Sequence, residues 1–264
     1  MKIARARLPD GTIQHALVEE QGRLRLIQGD LYGAWRATDQ IVPLDHVTLL
    51  APVAPPNIIA IGLNYRAHAQ ESGAPFPERP VIFLKATSAL CDPEQPIVLP
   101  KMAPHEVDYE CELAIVIGKR AKHVPAARAL EYVLGYTCAN DVSARDCQQR
   151  LDKQWARAKS FDTFAPLGPW IETDLDPESA TLRTRLNGVV MQESNTSDMI
   201  FSCHELIAYL SQAMTLLPGT VIMTGTPSGV GFARKPPRFL RPGDMVEIEV
   251  EGIGVLRNPV VAES

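Results

Sequence analysis

The chain is a succession of short apolar runs separated by glycine, proline and charged residues, a pattern that favours strands over helices. The runs near its start are Met1–Arg5, His15–Val18 and Leu24–Ile27. Asp10-Gly11, between the first two, is a hairpin turn signal. The proline-rich stretch Ala51–Pro56 then interrupts the pattern, because proline cannot continue a ladder or a helix. We expect a small β-rich unit over residues 1–51, a linker, and a larger unit over residues 57–264.

The larger unit mixes both kinds of element. Its predicted strands are Ile58–Gly62, Val81–Leu84, Val107–Ile117, Tyr136–Asp141, Val221–Met223 and Met245–Val250. Its predicted helices are Arg66–Gly73, Pro125–Leu134, a helix that begins near Ala144 and is capped by Asp141 or Ser143, and Cys203–Leu217. Strands outnumber helices and do not alternate with them regularly, so we expect an α+β fold rather than a doubly wound sheet.

Composition narrows the class of protein. A chain of 264 residues with 45% hydrophobic and 22% charged residues has the size of one globular domain with a small appendage. No apolar run approaches the ~20 residues that span a membrane, and residues 1–13 carry no apolar signal-peptide core. The net charge of -5 argues against a nucleic-acid partner. We expect a cytoplasmic protein. Its five cysteines form no CxxC pair, so we expect no disulfide framework or zinc site, and most of the thiols should be buried.

Two glutamates stand at alternate positions of the strand predicted over Val107–Ile117. Side chains alternate between the faces of a strand, so Glu110 and Glu112 are expected to point the same way, roughly 7 Å apart. The apolar run that follows them indicates a buried strand. Neighbouring buried carboxylates repel each other and cost desolvation free energy, which a bound cation would remove. An exposed acidic face is the alternative that this segment leaves open.

A third carboxylate, Asp141, ends a predicted strand at its junction with a helix. Three carboxylates suit a hard cation that keeps several water ligands, which favours Mg²⁺ or Mn²⁺ over Zn²⁺. Its remaining coordination positions would accept a chelating substrate. The sequence therefore predicts a metal site at Glu110, Glu112 and Asp141.

Three nearby side chains suit an anionic substrate. Arg145 and Gln148 share a face of the predicted helix, and the Arg145 guanidinium has the geometry to clamp a carboxylate. Lys159, among small and apolar residues, is a candidate for stabilising an oxyanion or enolate. The alternatives are a salt bridge from Arg145, for example to Asp146 or Asp152, and a surface position for Lys159.

His68 and Glu71 are neighbours on a predicted helical turn. A carboxylate beside an imidazole fixes its tautomer and raises its basicity, which makes a general base able to activate water; an exposed surface pair is the alternative. The glycine-rich run Thr224–Gly231 matches neither a phosphate-binding loop nor a dinucleotide fingerprint. Its glycines let backbone amides or Thr226 approach a ligand closely, unless the run is only a tight structural loop.

Six motifs follow one another in a fixed order over about residues 57–260. They are Asn64-Tyr65-x-x-His68-x-x-Glu71, Phe83-Leu84-Lys85, Tyr109-Glu110-x-Glu112-Leu113, Asn140-Asp141-x-x-Ala144-Arg145-Asp146, Lys159-Ser160-Phe161-Asp162 and Thr224-Gly225-Thr226-Pro227-x-Gly229-Val230. In this order the chain resembles the fumarylacetoacetate hydrolase family. Within the family, Lys153–Trp155 and Arg234–Pro237 are similar to the group called fumarylacetoacetate hydrolase domain-containing protein 2.

The resemblance implies a β-rich α+β fold of the mixed sandwich or roll type, a homodimer and a Mg²⁺ or Mn²⁺ ion. The roles it implies are metal binding for Glu110, Glu112 and Asp141, catalysis for His68, Glu71 and Lys159, and substrate contact for Arg145, Gln148, Lys159 and Thr226. The founding hydrolase has a further upstream aspartate ligand with no clear equivalent here. That departure argues against fumarylacetoacetate itself as the substrate.

The leading hypothesis is hydrolysis of a C–C bond in an acylpyruvate or related 1,3-dicarbonyl acid, as in aromatic catabolism. The metal would chelate the 2-oxo acid, His68 with Glu71 would activate water, and Lys159 would stabilise the departing enolate. Without a nucleophilic water, the same site would serve a decarboxylase, a 2-hydroxy-dienedioate isomerase or an oxaloacetate tautomerase. A metal-binding structural protein without activity is the remaining alternative.

Overall fold

The computed structural model describes the whole chain, residues 1–264. Its strands are β1 Lys2–Arg7, β2 Ile13–Glu19, β3 Arg23–Gly29, β4 Trp35–Pro43, β5 Thr48–Leu50, β6 Ile58–Gly62, β7 Val81–Lys85, β8 Leu90–Cys91, β9 Ile97–Leu99, β10 Val107–Asp108, β11 Cys111–Ile117, β12 Val133–Asn140, β13 Ser143–Ala144, β14 Ala165–Glu172, β15 Thr181–Leu186, β16 Val189–Asn195, β17 Val221–Met223, β18 Met245–Val250 and β19 Gly254–Ala262. Its α-helices are α1 Arg66–Ser72, α2 Ala156–Lys159 and α3 Cys203–Ala213. The predicted β-rich α+β class is confirmed.

Two sheets carry the architecture. The large sheet runs in the order β4-β3-β2-β1-β14-β12-β11-β17-β6-β7, with β5 added to β1 and β8 added to β14. The second sheet runs in the order β16-β15-β18-β19-β9. It packs over the centre of the large sheet, where β15, β18 and β19 contact β11, β12 and β14. One continuous cluster of buried hydrophobic side chains fills the space between them, so β11 is buried on both faces, as its apolar run predicts.

The N-terminal strands extend the large sheet rather than stand apart. Residue Lys2 of β1 pairs with Glu172 of β14, and Gly11 turns the chain between β1 and β2 with a φ of 87°. A small second core lies under these strands. Ala51 and Val53 are buried, so the proline-rich stretch is packed against the protein. The division into units at residues 1–51 and 57–264 stays a prediction.

A helical segment begins near Ala144, as predicted, but neither predicted cap is used, and the long strand over Val107–Ile117 is interrupted. Ser143 and Ala144 pair with Asp108 and Val107 as the short ladder β13–β10, so their backbone is extended. The helical turn begins beyond this ladder, and Asp146 rather than Asp141 or Ser143 caps it. The interruption falls at Tyr109 and Glu110, between β10 and β11.

The other helices follow the prediction to different degrees. α1 ends where expected, because Gly73 adopts a φ of 66° after it. α3 is shorter than Cys203–Leu217, because Leu216 instead pairs with Ala121 in an isolated bridge. The helix predicted over Pro125–Leu134 is a 3₁₀ turn, after which β12 begins at Val133. All five cysteines are buried and unpaired, as predicted. No helix has the length and hydropathy needed to cross a membrane.

Candidate active site

Three buried carboxylates converge where β11 begins and β12 ends. Cys111 of β11 pairs with Asn140 of β12, which brings Glu110 and Glu112, on either side of Cys111, next to Asp141. One oxygen from each carboxylate lies within 4.8 Å of the others. All three residues are 6% exposed or less, so the alternative of an exposed acidic face is wrong.

Two buried ammonium groups neutralise part of this charge. Nζ of Lys159 donates to Glu110 Oε2 at 2.8 Å and to Asp141 Oδ2 at 2.6 Å. Nζ of Lys85 donates to Asp141 Oδ1 at 2.5 Å. Lys159 is therefore not a surface lysine. The sequence assigned no function to Lys85, although a lysine at the end of an apolar strand was a signal for one.

Glu110 and Glu112 differ in their electrostatic surroundings. Burial opposes ionisation of Glu110, but Lys159 and the Arg145 guanidinium, whose Nη2 is 2.7 Å from Oε1, hold the pKa of Glu110 well below its usual range. Burial raises the pKa of Glu112 well above its usual range, and the neighbouring Asp141 and Glu110 raise it further. Its Oε2 accepts a hydrogen bond from the Gly225 N–H at 2.7 Å, and no ion pair compensates its charge.

The three carboxylates form a donor set that suits a divalent cation. All their ligand atoms are oxygens, which hard cations such as Mg²⁺ and Mn²⁺ prefer. Glu112 is the carboxylate whose ionised form lacks a cationic partner, and a bound cation would supply one. The buried side chains present here therefore fit the metal site predicted from the sequence.

Arg145 is buried with a carboxylate that the sequence did not point to. Its Nε donates to Asp108 Oδ2 at 2.9 Å, and its Nη1 donates to Gln148 Oε1 at 2.8 Å. The alternative of a salt bridge is therefore present, but its partners are Asp108 and Glu110 rather than Asp146 or Asp152. Asp146 caps its own helical turn, and Asp152 pairs with Arg157.

His68 and Glu71 form the hydrogen-bonded pair that their spacing predicts. Nδ1 of His68 lies 3.1 Å from Glu71 Oε2, and the N–H of Gly229 donates to both carboxylate oxygens, at 2.9 and 3.1 Å. Burial opposes ionisation of Glu71, but these hydrogen bonds outweigh it and lower its pKa. His68 is 7% exposed, so the alternative of an exposed surface pair is wrong for the imidazole.

A cavity of about 270 Å³ connects these groups. Eight of the nine predicted site residues line it: His68, Glu110, Glu112, Asp141, Arg145, Gln148, Lys159 and Thr226. The ninth, Glu71, lies behind His68. Phe83, Trp155 and Phe232 form an apolar wall, and the Phe232 ring lies 4.5 Å from the Arg145 guanidinium carbon. Neither Trp155 nor Phe232 was predicted as a site residue from the sequence, because only the tertiary fold brings them to the cavity.

The loop Thr224–Gly231 holds the site together through its amides. The N–H groups of Gly225, Gly229 and Gly231 donate to Glu112, Glu71 and Asp108, respectively. These three amides thus bind side chains of the site rather than a ligand. The sequence alone had not decided between these two roles. The side chain of Thr226 lines the cavity.

Comparison of the sequence with models of protein families shows to which family the chain belongs. Residues 57–261 match the model described as fumarylacetoacetate (FAA) hydrolase, C-terminal. The chain belongs to the fumarylacetoacetate hydrolase family. Residues 1–52 match a second model, described as Rv2993c-like, N-terminal. The family resemblance seen in the sequence motifs is thereby confirmed, and the protein is an enzyme of this family.

Named members of the family lie close to this chain in sequence and structure. The mitochondrial oxaloacetate tautomerase Fahd2a of Rattus norvegicus is 48% identical over 225 residues, which cover 84% of this chain and 72% of that protein. The structure of 5-carboxymethyl-2-hydroxymuconate delta-isomerase from Mycobacterium smegmatis is 49% identical, covers 100% of both chains and has a TM-score of 0.90. That of 2-hydroxyhepta-2,4-diene-1,7-dioate isomerase from Mycobacterium marinum is 44% identical, covers 100% of this chain and 99% of the other, and has a TM-score of 0.89.

Proposed function

We propose that the enzyme catalyses the keto–enol tautomerisation of a small 2-oxo dicarboxylic acid such as oxaloacetate, with Mg²⁺ or Mn²⁺ as cofactor. The observation that carries the proposal is one cavity lined by a buried imidazole, a buried ammonium and three convergent carboxylates. A base and a cationic group that share a cavity suit proton removal next to a carbonyl group. Similarity to a tautomerase and to two isomerases supports proton transfer rather than bond cleavage.

Glu110, Glu112 and Asp141 would hold the cation. When bound, the cation supplies electrophilic stabilisation of the negative charge that develops on the 2-oxo oxygen. Every other contribution comes from side chains of this chain.

His68 is the proposed base that takes the proton from carbon 3 of the substrate. Its partner Glu71 is ionised, since its pKa is lowered, and a carboxylate only accepts hydrogen bonds. Nδ1 of His68 therefore carries the hydrogen that is donated to Glu71, and Nε2 keeps the lone pair that accepts the substrate proton. Glu71 also stabilises the imidazolium that forms.

Lys159 is the proposed electrostatic stabiliser of the enolate. Burial lowers its pKa, but Asp141 and Glu110 outweigh burial and raise it, so the ammonium form persists at neutral pH. It therefore acts as a hydrogen-bond donor and not as a base. Arg145, Gln148 and Thr226 are proposed to bind the substrate carboxylates at the same cavity.

The test follows the ketonisation of enol-oxaloacetate by ultraviolet absorbance, with the purified enzyme and Mg²⁺, with Mn²⁺, and with a chelator. Proton NMR of the same samples reports any loss of CO₂. We expect metal-dependent acceleration of ketonisation without decarboxylation. A ketonisation rate equal to that of the protein-free control would rule the proposal out.

Hydrolysis of an acylpyruvate is the second candidate, and the His68–Glu71 hydrogen bond favours it. A base that removes a proton from carbon is equally suited to activate a water molecule. The discriminating measurement is a proton NMR time course with acetylpyruvate under the same metal conditions. Appearance of acetate and pyruvate, together with unaccelerated ketonisation of oxaloacetate, would replace tautomerisation with hydrolysis.

We also propose that the enzyme is a homodimer, as the family resemblance implies. Light scattering coupled to size exclusion tests it, and the expected mass is twice that of one 29.0 kDa chain. A monomeric mass at micromolar concentration would refute this part.

A further inference from the structure

Gln192 is a fully buried amide that stands just outside the cavity. It lies on β16, opposite Thr184 of β15, whereas the next pair joins Arg185 to Val190. Met191 is thus an extra residue, a β-bulge, and bulges re-aim the neighbouring side chains. Gln192 is 1% exposed, and its side chain contacts Thr226, which lines the cavity, without lining the cavity itself.

All the hydrogen-bonding groups of the Gln192 side chain are engaged. Its Oε1 accepts from the N–H of Cys111 at 2.9 Å and from the hydroxyl of Thr184 at 2.8 Å. Its Nε2 donates to Thr226 Oγ1 at 2.8 Å and to the carbonyl oxygen of Pro227 at 2.9 Å. The amide therefore joins the residue between Glu110 and Glu112 to the loop that carries Thr226.

Chemistry fixes which way this amide points. The backbone N–H of Cys111 can only donate, so the oxygen of Gln192 must face it. The carbonyl of Pro227 can only accept, so the nitrogen must face that side. Both assignments agree, and the Gln192 nitrogen necessarily donates to the Thr226 hydroxyl oxygen.

The direction of this hydrogen bond determines what Thr226 offers to a ligand. A hydroxyl has one hydrogen, and the Gln192 N–H already occupies a lone pair of Thr226 Oγ1. The protein provides no acceptor for the Thr226 hydrogen, and Thr226 lines the cavity. The hydroxyl hydrogen is thus free to point into the cavity.

The loop cannot easily move away from this contact. A Cβ atom at Gly229 would lie 2.3 Å from the carbonyl oxygen of Met191, so only glycine permits the approach of the loop to the bulge. Arg234, beyond the loop, donates from Nη2 to the same Met191 carbonyl. The bulge therefore fixes both Gln192 and the loop that it contacts.

We propose that Gln192 is a positioning residue that leaves the hydroxyl hydrogen of Thr226 to be donated to a carboxylate oxygen of the substrate. This inference rests on the proposed function, in that the substrate is a small dicarboxylate. The guanidinium of Arg145, which carries N–H donors and no acceptor, lines the same cavity, so both side chains can donate to a substrate carboxylate. Such an arrangement selects an ionised carboxylate over an amide or a protonated acid, whose N–H or O–H would meet another donor.

The test reverses the hydrogen bond with Gln192→Glu, which keeps the shape of the side chain. One carboxylate oxygen still accepts from Cys111, whereas the other now accepts the Thr226 hydrogen and withdraws it from the cavity. The readouts are KM and kcat for oxaloacetate and, independently of turnover, the Kd of malonate measured calorimetrically in the presence of Mg²⁺. We expect KM and the malonate Kd to rise about 10-fold or more, with a smaller change in kcat.

A double-mutant cycle separates this role from a purely structural one. Thr226→Val removes the hydroxyl, so Gln192→Glu should then change the malonate Kd little further, whereas Thr226→Ser should restore its full effect. Gln40→Glu, an exposed change of the same charge, is the matched control and should leave both constants unchanged. Gln192→Met, run through the same cycle, serves as the replacement if Gln192→Glu does not fold.

The outcomes distinguish this inference from the proposed function. If Gln192→Glu raises the malonate Kd equally in the wild-type protein and in the Thr226→Val variant, the positioning role is overturned. Wild-type protein that does not bind malonate would overturn it as well. If the coupling between the two positions appears in malonate binding while ketonisation is not accelerated, the tautomerase assignment fails and the role of Gln192 stands.

Discussion

Asp108 and Arg145 form an ion pair that is buried on both sides, with Nε of Arg145 donating to Asp108 Oδ2 at 2.9 Å. The same carboxylate accepts from the N–H groups of Gly231 and Phe232, at 2.8 and 3.0 Å. One side chain thus ties the guanidinium of the cavity to the end of the glycine-rich loop. A buried charge that loses its partner is costly, so the pair acts as a unit.

Asp108→Asn is expected to weaken substrate binding and to destabilise the fold. The neutral amide no longer compensates the Arg145 charge, which is left with Glu110 as its one charged partner. KM for oxaloacetate should therefore rise about 10-fold, while the free energy of unfolding falls by about 3 kcal/mol. Steady-state kinetics and urea denaturation measure the two effects. Asp152→Asn, in the more exposed pair with Arg157, is the control and should change neither by more than the error. A KM within about twofold of the wild type would contradict the anchoring role of Asp108.

His68→Gln is expected to lower kcat for ketonisation by about 10²–10⁴-fold, the usual contribution of a general base. The affinity for Mg²⁺ should remain nearly intact, since His68 is not among the three carboxylates. Kinetics and calorimetric titration of Mg²⁺ into the same preparation provide the comparison. His46→Gln, an exposed change in the 3₁₀ turn between β4 and β5, controls for the substitution itself. If the variant keeps full turnover, His68 is not the base.

Mg²⁺ or Mn²⁺ is expected to raise the thermal midpoint of chelator-treated protein. A ligand that binds only the folded state stabilises it by about 2.7 kcal/mol at 100 times its Kd. Differential scanning fluorimetry over a series of metal concentrations measures the shift. Glu112→Gln removes one carboxylate while keeping its volume, and it should abolish most of the shift without lowering the midpoint of the metal-free protein. The same shift in wild type and variant would place the cation elsewhere.

The fold class followed from the sequence because buried strands in this chain are short and nearly continuous in their apolar character. β6 and β17 lie where continuous apolar runs predicted them, and β18 lies where the alternation of apolar and acidic residues predicted it. The caps expected for the helix near Ala144, Asp141 or Ser143, failed for a tertiary reason. Ser143 and Ala144 use their backbone groups in a ladder with Val107 and Asp108, and no local pattern reveals a partner so distant in the chain.

The site was predictable to the extent that its chemistry lies in local spacing. Glu110 with Glu112 and His68 with Glu71 are neighbours in sequence, and each pair stands together in the structure. Local spacing could not predict the role of Asp108, because Asp108 and its partner Arg145 are 37 positions apart in the sequence. Buried single polar residues such as Lys85 and Gln192 carry a weak signal, since their partners come from other strands.

The carboxylate of Asp244 provides a test of how the segment after the glycine-rich loop is held. It accepts hydrogen bonds from Arg238 Nη2 at 2.8 and 2.9 Å, from Asn187 Nδ2 at 2.8 Å and from the N–H of Arg241 at 2.8 Å. Burial opposes ionisation, but these donors outweigh it and lower the pKa of Asp244 below its ordinary value of 3.8. An acid whose pKa is lowered by folding stabilises the folded state above its unfolded pKa, and this stability is lost as the pH falls through the folded value.

Asp244→Asn should therefore destabilise the protein at neutral pH by about 2 kcal/mol, the usual contribution of a hydrogen bond to a charged group. The difference from the wild type should stay constant down to about pH 5 and shrink as the pH falls below about 4, because the wild-type carboxylate then loses its charge as well. Urea denaturation at a series of pH values measures it. Asp39→Asn, at an exposed carboxylate, should show no difference at any pH. If the Asp244→Asn difference is the same at about pH 3 as at about pH 7, the effect comes from shape rather than charge, and the electrostatic anchoring of this segment is refuted.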